Sequence, residues 1–228
     1  MNCIRRAAYF NSSGATLLAT NEAGKALKAF KISLKCLAEA IVEANNDGGR
    51  IQDNPTDASG IISRAVPRSR MDLDQEDCLD ELGQPYLYSK GLVFYPNSTV
   101  TLVDLSFYSS VVVFNLVLAY HRRSKSLQEA DLKKLLQLYE LCLRLISEGA
   151  RSSHYDCCNL MVAALNNKSV VHSELGQHTR ARRMLYHVWD VMKYPERRPG
   201  LMETWEVEGI FLNIYLILVN SPQVASAA

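Results

Sequence analysis

The sequence lacks the short motifs that mark common catalytic sites. It has no Gly-x-Ser-x-Gly elbow, no Gly-x-Gly-x-x-Gly motif, no phosphate-binding loop and no His-Glu-x-x-His zinc motif. Its six cysteines include no Cys-x-x-Cys pair, and no second pair of ligands complements the group His154, Cys157 and Cys158. We therefore expect no catalytic residue, no metal site and no cofactor.

The chain also has little net charge and no long uninterrupted apolar run. Its formal charge is +1 over 228 residues, so no global field draws it to nucleic acid or to an anionic membrane. The longest apolar candidate, residues 210–219, is shorter than the about 20 residues that span a bilayer. The start has no apolar signal-peptide core, and we expect a cytoplasmic protein with reduced cysteines. Residues 1–21 contain no acidic residue, which leaves an N-terminal organelle transit segment open.

What the chain does contain is a spacing of small and large residues that occurs twice. In residues 7–44, Gly14 is followed by the pair Ala26 and Phe30, one helical turn apart. Small residues let two helices approach closely, while a large one fills the space between them. Residues 155–194 repeat the spacing with Ser169, Ala181 and Leu185.

The second of these stretches resembles a tetratricopeptide repeat. Ser169 takes the small position of helix A, His172 the aromatic position, Gly176 the turn, and Ala181 and Leu185 the positions of helix B. The family usually has aromatic residues where this chain has His172 and Leu185, so the copy is degenerate.

The resemblance implies an all-α fold, a right-handed α-α superhelix of about three helical hairpins plus a capping helix. Each hairpin in such a fold buries its apolar face by stacking on its neighbour. We expect one domain, with repeats at about 7–44, 106–148 and 155–194 and a capping helix at about 203–219.

Residues 45–105 interrupt the repeats with a different composition. The first part holds several Gly and Pro residues and an acidic run, which is typical of a flexible insertion. Residues 86–95 and 99–103 are rich in β-branched and aromatic residues and flank a Pro-Asn turn, so they predict a small β-hairpin. Two strands alone are marginally stable, and we expect this hairpin to pack on the helical stack.

The most informative polar residues are Asn115 and Asn167. Both stand just before the small position of a helix A, which lines the concave face in tetratricopeptide proteins. A side-chain amide donates and accepts, so it can pair with the backbone of an extended peptide; the alternative is that these amides only satisfy neighbouring helix ends. The same alignment places on or near this face the residues Asn11, Phe114, Leu118, Arg122, Asn166, Val170 and Ser173.

These observations favour a scaffold or adaptor that binds another protein or peptide on its concave face. An RNA-associated helical-repeat protein is one alternative, which would need a basic stripe along that face. An enzyme with a site near the insertion and the group His154, Cys157 and Cys158 is the other. The near-zero net charge argues against the first, and the missing motifs argue against the second.

Overall fold

The computed structural model describes residues 3–46, 87–96, 100–123, 127–149, 154–193 and 204–219. Within these ranges the fold is all-helical, as predicted, with seven α-helices and one π-helical turn. The helices are α1 (Cys3–Ala19), α2 (Ala23–Asn46), α3 (Leu102–Arg123), α4 (Glu129–Gly149), α5 (His154–Glu174), α6 (His178–Met192) and α7 (Thr204–Ile214), which the π-helical turn Tyr215–Val219 continues.

Helices that follow one another in the chain pack against each other. The pairs are α1 with α2, α3 with α4, and α5 with α6, and contacts of α2 with α3 and of α4 with α5 join successive pairs. One continuous apolar cluster runs from α1 to α5, and two smaller clusters join α5 and α6 to α7 and the π-helical turn. Each pair therefore completes its core only against its neighbours.

The close approach predicted from Gly14 is present in the first pair. A Cβ added at Gly14 would meet the Phe30 ring, 2.7 Å from its Cδ1 atom. Phe30 is fully buried, and so is Ala26 one turn before it. The glycine therefore lets the aromatic ring of α2 lie directly against the backbone of α1.

Two of the turns between paired helices are built alike. Asn21 after α1 and Gly176 after α5 both have positive φ, at 62° and 69°. In each turn the N–H of the next residue donates to a carbonyl five residues back, from Glu22 to Leu17 and from Gln177 to His172, both at 2.8 Å. This is the Schellman arrangement, which ends a helix at a left-handed residue.

The central helix is α3, which packs against α1, α2, α4 and α5. By length and composition alone it could cross a membrane, but 72% of its most apolar window is buried inside the fold. Its sequence is not one uninterrupted apolar run, because Ser106, Ser109, Ser110 and Asn115 interrupt it. A helix that is apolar on all sides is also what the core of a helical stack requires.

The predicted β-hairpin is not confirmed in the described part of the insertion. Residues 87–96 have neither helical nor strand pairing, and Leu102 and Val103, predicted in the second strand, begin α3. The Gly- and Pro-containing stretch and the acidic run of the insertion lie outside the described residues. The expectation that this stretch packs on the helices is confirmed for Tyr88, Leu92 and Phe94, which are buried in the helical core.

We predict that Gly14→Ala lowers the free energy of unfolding by about 1–2 kcal/mol. Overpacking against the Phe30 ring costs about 1–3 kcal/mol, which outweighs the gain of up to about 1 kcal/mol from replacing a helical glycine. Urea unfolding followed by circular dichroism measures the change. The matched control is Gly24→Ala in α2, where an added Cβ has no atom within 4 Å and a small gain is expected. Equal gains for both variants would contradict the packing.

Candidate peptide-binding trough

Residues 87–96 of the insertion lie across the first helices of all three pairs. Tyr88, Leu92, Val93 and Phe94 are buried there, and three of them, Tyr88, Leu92 and Phe94, belong to the same apolar cluster as α1 to α5. We call the surface that holds residues 87–96 the trough, and define it by Asn11 and Ala15 on α1, Phe114, Asn115 and Arg122 on α3, and Asn167 on α5.

Asn115 grips the backbone of one segment residue with both ends of its amide. Its Oδ1 accepts a hydrogen bond from the Leu92 N–H at 2.8 Å, and its Nδ2 donates to the Leu92 carbonyl at 2.6 Å. Asn115 is fully buried. The side chain therefore satisfies a buried N–H and a buried C=O that would each be costly to leave unpaired.

Asn167 does the same for a residue four positions earlier in the segment. Its Oδ1 accepts from the Tyr88 N–H at 2.8 Å, and its Nδ2 donates to the Tyr88 carbonyl at 2.9 Å. Asn167 is also fully buried. The two asparagines that the sequence placed before the small positions of consecutive repeats thus make the same pair of bonds.

This pair of hydrogen bonds to a single residue indicates an extended backbone at both Tyr88 and Leu92. The N–H and C=O of one residue point to the same side only in an extended chain, where a neighbouring strand would bond to both. Four extended residues span about 13 Å, and Tyr88 and Leu92 are four apart. The amides of Asn115 and Asn167 therefore make the hydrogen bonds that a neighbouring β-strand would make to Tyr88 and Leu92.

Asn11 of the first pair completes the polar contacts. Its Nδ2 donates to the Leu92 carbonyl at 2.9 Å, and its Oδ1 accepts from Asn115 Nδ2 at 2.8 Å. The Leu92 carbonyl therefore accepts from two amides that belong to different helix pairs. These bonds join the first pair to the second through the segment as well as through α2 and α3.

Side chains of the segment pack against α3 and α1. The Phe94 ring stacks on Tyr108 with centroids 4.4 Å apart, and the Tyr88 ring lies 6.0 Å from Phe114. A Cβ added at Gly91 would come within 2.9 Å of both Cα and Cβ of Ala15. The segment backbone therefore touches α1 at a position where only glycine fits without moving a helix.

Arg122 at the end of α3 ties the segment to the turn after α1. Its guanidinium donates to the Leu18 carbonyl at 3.0 Å and to the Ser89 carbonyl at 3.4 Å. It also donates to Asn21 Oδ1 at 3.2 Å. Arg122 therefore caps the end of α1 and holds segment backbone.

A further chain of amides runs from α5 to α7. Asn166 Nδ2 donates to Asn167 Oδ1 at 3.2 Å, and Asn213 Nδ2 donates to Asn166 Oδ1 at 2.8 Å. Asn166 and Asn213 are fully buried. Asn166 thus supports the trough through Asn167, and Asn213 extends the network to α7.

The remaining predicted residues, Leu118, Val170 and Ser173, lie on α3 and α5 and contribute to the core or to a turn. Leu118 and Val170 are buried in the core of the stack. Ser173 is half-buried, and its carbonyl accepts from Gly176 in the turn after α5.

Three ionisable side chains on and beside α5 are each paired or held in the neutral form. The Lys168 ammonium is bound to the Glu140 carboxylate. Burial lowers the pKa of His172, whose Nδ1 lies 2.9 Å from Gln177 Oε1. Burial also raises the pKa of Tyr139 far above its ordinary value. Neutral and paired groups of this kind are suited to structure more than to proton transfer.

The described residues hold no group of three or more His, Cys, Asp or Glu side chains that could bind a metal ion. Burial raises the pKa of the Cys142 thiol, whose Sγ lies 3.4 Å from the Ser110 carbonyl. Cys157 is buried and Cys158 is half-buried, while the side chain of His154 lies outside the described part of the chain. A buried thiol with a raised pKa is unreactive.

No protein-family model, curated protein sequence or solved structure matches this chain.

Three features of the trough escaped sequence reasoning. Residues 87–96 have the apolar and β-branched composition of buried strands. That composition does not show which groups bond to their backbone. The contact of Gly91 with Ala15 and the part played by Asn213 had no local signal either. Each depends on residues far apart in the sequence that only the packing of whole helices brings together.

We predict that Asn115→Leu and Asn167→Leu each lower the free energy of unfolding by about 3 kcal/mol. Asn167→Leu removes the amide bonded to the Tyr88 N–H and C=O. Asn115→Leu removes the amide bonded to the Leu92 N–H and to Asn11 Oδ1, while the Leu92 carbonyl keeps its bond from Asn11. Each buried group that loses its partner costs about 1–3 kcal/mol. Chemical unfolding monitored by tryptophan fluorescence gives the values.

The matched control for this prediction is Asn159→Leu on α5. Asn159 is also buried, but neither amide atom has a hydrogen-bond partner among the described residues. We expect Asn159→Leu to leave stability unchanged or to raise it by about 1 kcal/mol, because burying an unpaired amide is unfavourable. Equal losses for all three variants would mean that the amide bonds to the segment contribute nothing of their own.

Proposed function

We propose that this protein is a protein–protein interaction module, a scaffold or adaptor, whose trough binds an extended segment of a partner. In this proposal the helix pairs form a right-handed α-α superhelix of the tetratricopeptide type, with α7 as its capping helix. The observation that carries the proposal is the pair of amides, Asn115 and Asn167, each of which holds both backbone groups of one residue in an extended segment.

Recognition through the backbone suits a polypeptide ligand. Every residue except proline presents an N–H and a C=O, so the two asparagines can hold many sequences in the same register. Adding an extended peptide beside backbone-like partners is a recurring mode of peptide binding, in which side-chain pockets then provide specificity. Phe114 and Tyr108 supply such apolar contacts here.

The charges near the trough support a polypeptide over RNA. Arg122 is engaged with backbone carbonyls and with Asn21, and Lys168 is bound to Glu140. A single-stranded RNA site combines a basic groove with aromatic platforms that stay open to bases. The charges of Arg122 and Lys168 are already engaged within the fold, so they do not form such a basic groove.

The proposal is tested by supplying the segment as a separate molecule. In a segment-replaced chain, residues 87–95 become Gly–Ser repeats, and a fluorescent peptide of residues 86–97 is titrated in while its anisotropy is measured. We expect saturable 1:1 binding. The double variant Asn115→Ala and Asn167→Ala in that chain should bind about 100-fold more weakly, because four hydrogen bonds to the peptide backbone are lost.

Asn159→Ala in the same chain is the control, since it removes a buried amide from α5 and leaves the trough intact. It should bind the peptide with unchanged affinity. The segment-replaced chain could require the peptide in order to fold. In that case the recovery of its helical circular dichroism on adding peptide is measured instead of anisotropy. Absence of any binding or recovery, or equal binding by the double variant, would refute the trough as a polypeptide site.

A further inference from the structure

In the intact chain the trough already holds a ligand, residues 87–96. Asn11, Asn115 and Asn167 are all fully buried beneath this segment, and their amides bond to its backbone. A partner that uses the same amides has to take the place of the segment. Resting on the function proposed above, we propose that residues 87–96 are a tethered competitor, and that the partner presents an extended stretch of the pattern aromatic-x-x-Gly-Leu-x-Phe.

The glycine of the pattern follows from the distance between the segment and α1. A Cβ at Gly91 would stand 2.9 Å from Cα and Cβ of Ala15 and 3.5 Å from Leu18 Cδ1. Ala15 Cα is a backbone atom and Ala15 Cβ is bonded directly to it, so neither can move aside by a side-chain rotation. Any residue but glycine at this position forces α1 off the segment, so a competing ligand needs glycine there too.

The other positions of the pattern follow from what each segment residue contacts. The residue three before the glycine sits against Phe114, as Tyr88 does, and is held by Asn167. The residue after the glycine is held by Asn115 and Asn11 and is buried, as Leu92 is. The residue two further on stacks on Tyr108, as Phe94 does. The pattern leaves three positions open: Ser89 and Lys90, which are only half-buried, and Val93, which is buried but makes none of the contacts named above.

Covalent attachment to the chain favours residues 87–96 over a free peptide in binding to the trough. Residues 87–96 are joined to α2 by residues 47–86 and to α3 by residues 97–101, so they cannot diffuse away. A ligand held by a linker faces its site at an effective concentration of about millimolar. A free peptide with the same contacts therefore has to compete against that concentration, and weakening the segment should open the trough to it.

Gly91→Val tests this inference because it weakens the docking of the segment without replacing any trough residue. The probe is the fluorescent peptide of residues 86–97, titrated into the wild-type full chain and into the Gly91→Val full chain. We expect the Gly91→Val chain to bind the peptide at least about tenfold more tightly. A peptide that carries the same Gly→Val change should not bind either chain.

The control is Tyr95→Val, which places valine in the segment at a side chain that is 52% exposed. It should bind the peptide as weakly as the wild type does. If the Gly91→Val chain is unfolded alone, refolding with the native peptide should restore its helical circular dichroism, while the Gly→Val peptide should not. Absence of rescue by the native peptide would overturn the proposal.

The outcomes separate this inference from the proposed function. Equal peptide affinity of the wild-type and Gly91→Val chains overturns the tethered competitor, while binding by the segment-replaced chain would still support the trough as a polypeptide site. Sedimentation of the wild type at the same concentrations provides a second check. If the wild type is a dimer that the free peptide dissociates, the trough of each chain is occupied by the segment of a second copy. That result would overturn competition within one chain.

Discussion

The structure depends on side-chain amides that take the place of a neighbouring strand. An extended, apolar stretch of backbone is buried among helices that have no free N–H or C=O groups to offer it, because helical backbone groups bond within the helix. Asn115 and Asn167 resolve this conflict by holding Leu92 and Tyr88 at both backbone groups. Without such partners, burying the segment would leave several polar groups unpaired, at a cost comparable to the whole stability of a domain.

This constraint connects the layers of the fold. The Gly14–Phe30 contact brings α1 close to α2, and the position of α1 lets Asn11 reach the Leu92 carbonyl. The same segment therefore bonds to all three pairs, which adds long-range contacts to a stack whose pairs otherwise touch only their neighbours. A trough that already holds one extended segment has the geometry and the polar groups to hold another.

The sequence predicts the parts of this arrangement that have a local signal. The 16-residue spacing from Gly14 to Phe30 occurs again from Ser169 to Leu185, so the paired helices follow from it. Asn115 and Asn167 were identified from their place before a small residue. The identity of the occupant could not be predicted in this way. Aromatic and β-branched residues indicate extended, buried backbone, but they do not say whether a second strand or a set of asparagines bonds to it. That choice is decided by helices distant in sequence.

Hydrogen exchange at individual backbone amides tests the central claim most directly. In the intact wild-type chain, the account predicts that the N–H groups of Tyr88 and Leu92 exchange as slowly as core amides of α3, because both are buried and bonded to asparagine oxygens. Nuclear magnetic resonance resolves them one by one. Exchange of these two amides at the rate of an unfolded chain, while α3 remains protected, would contradict the account.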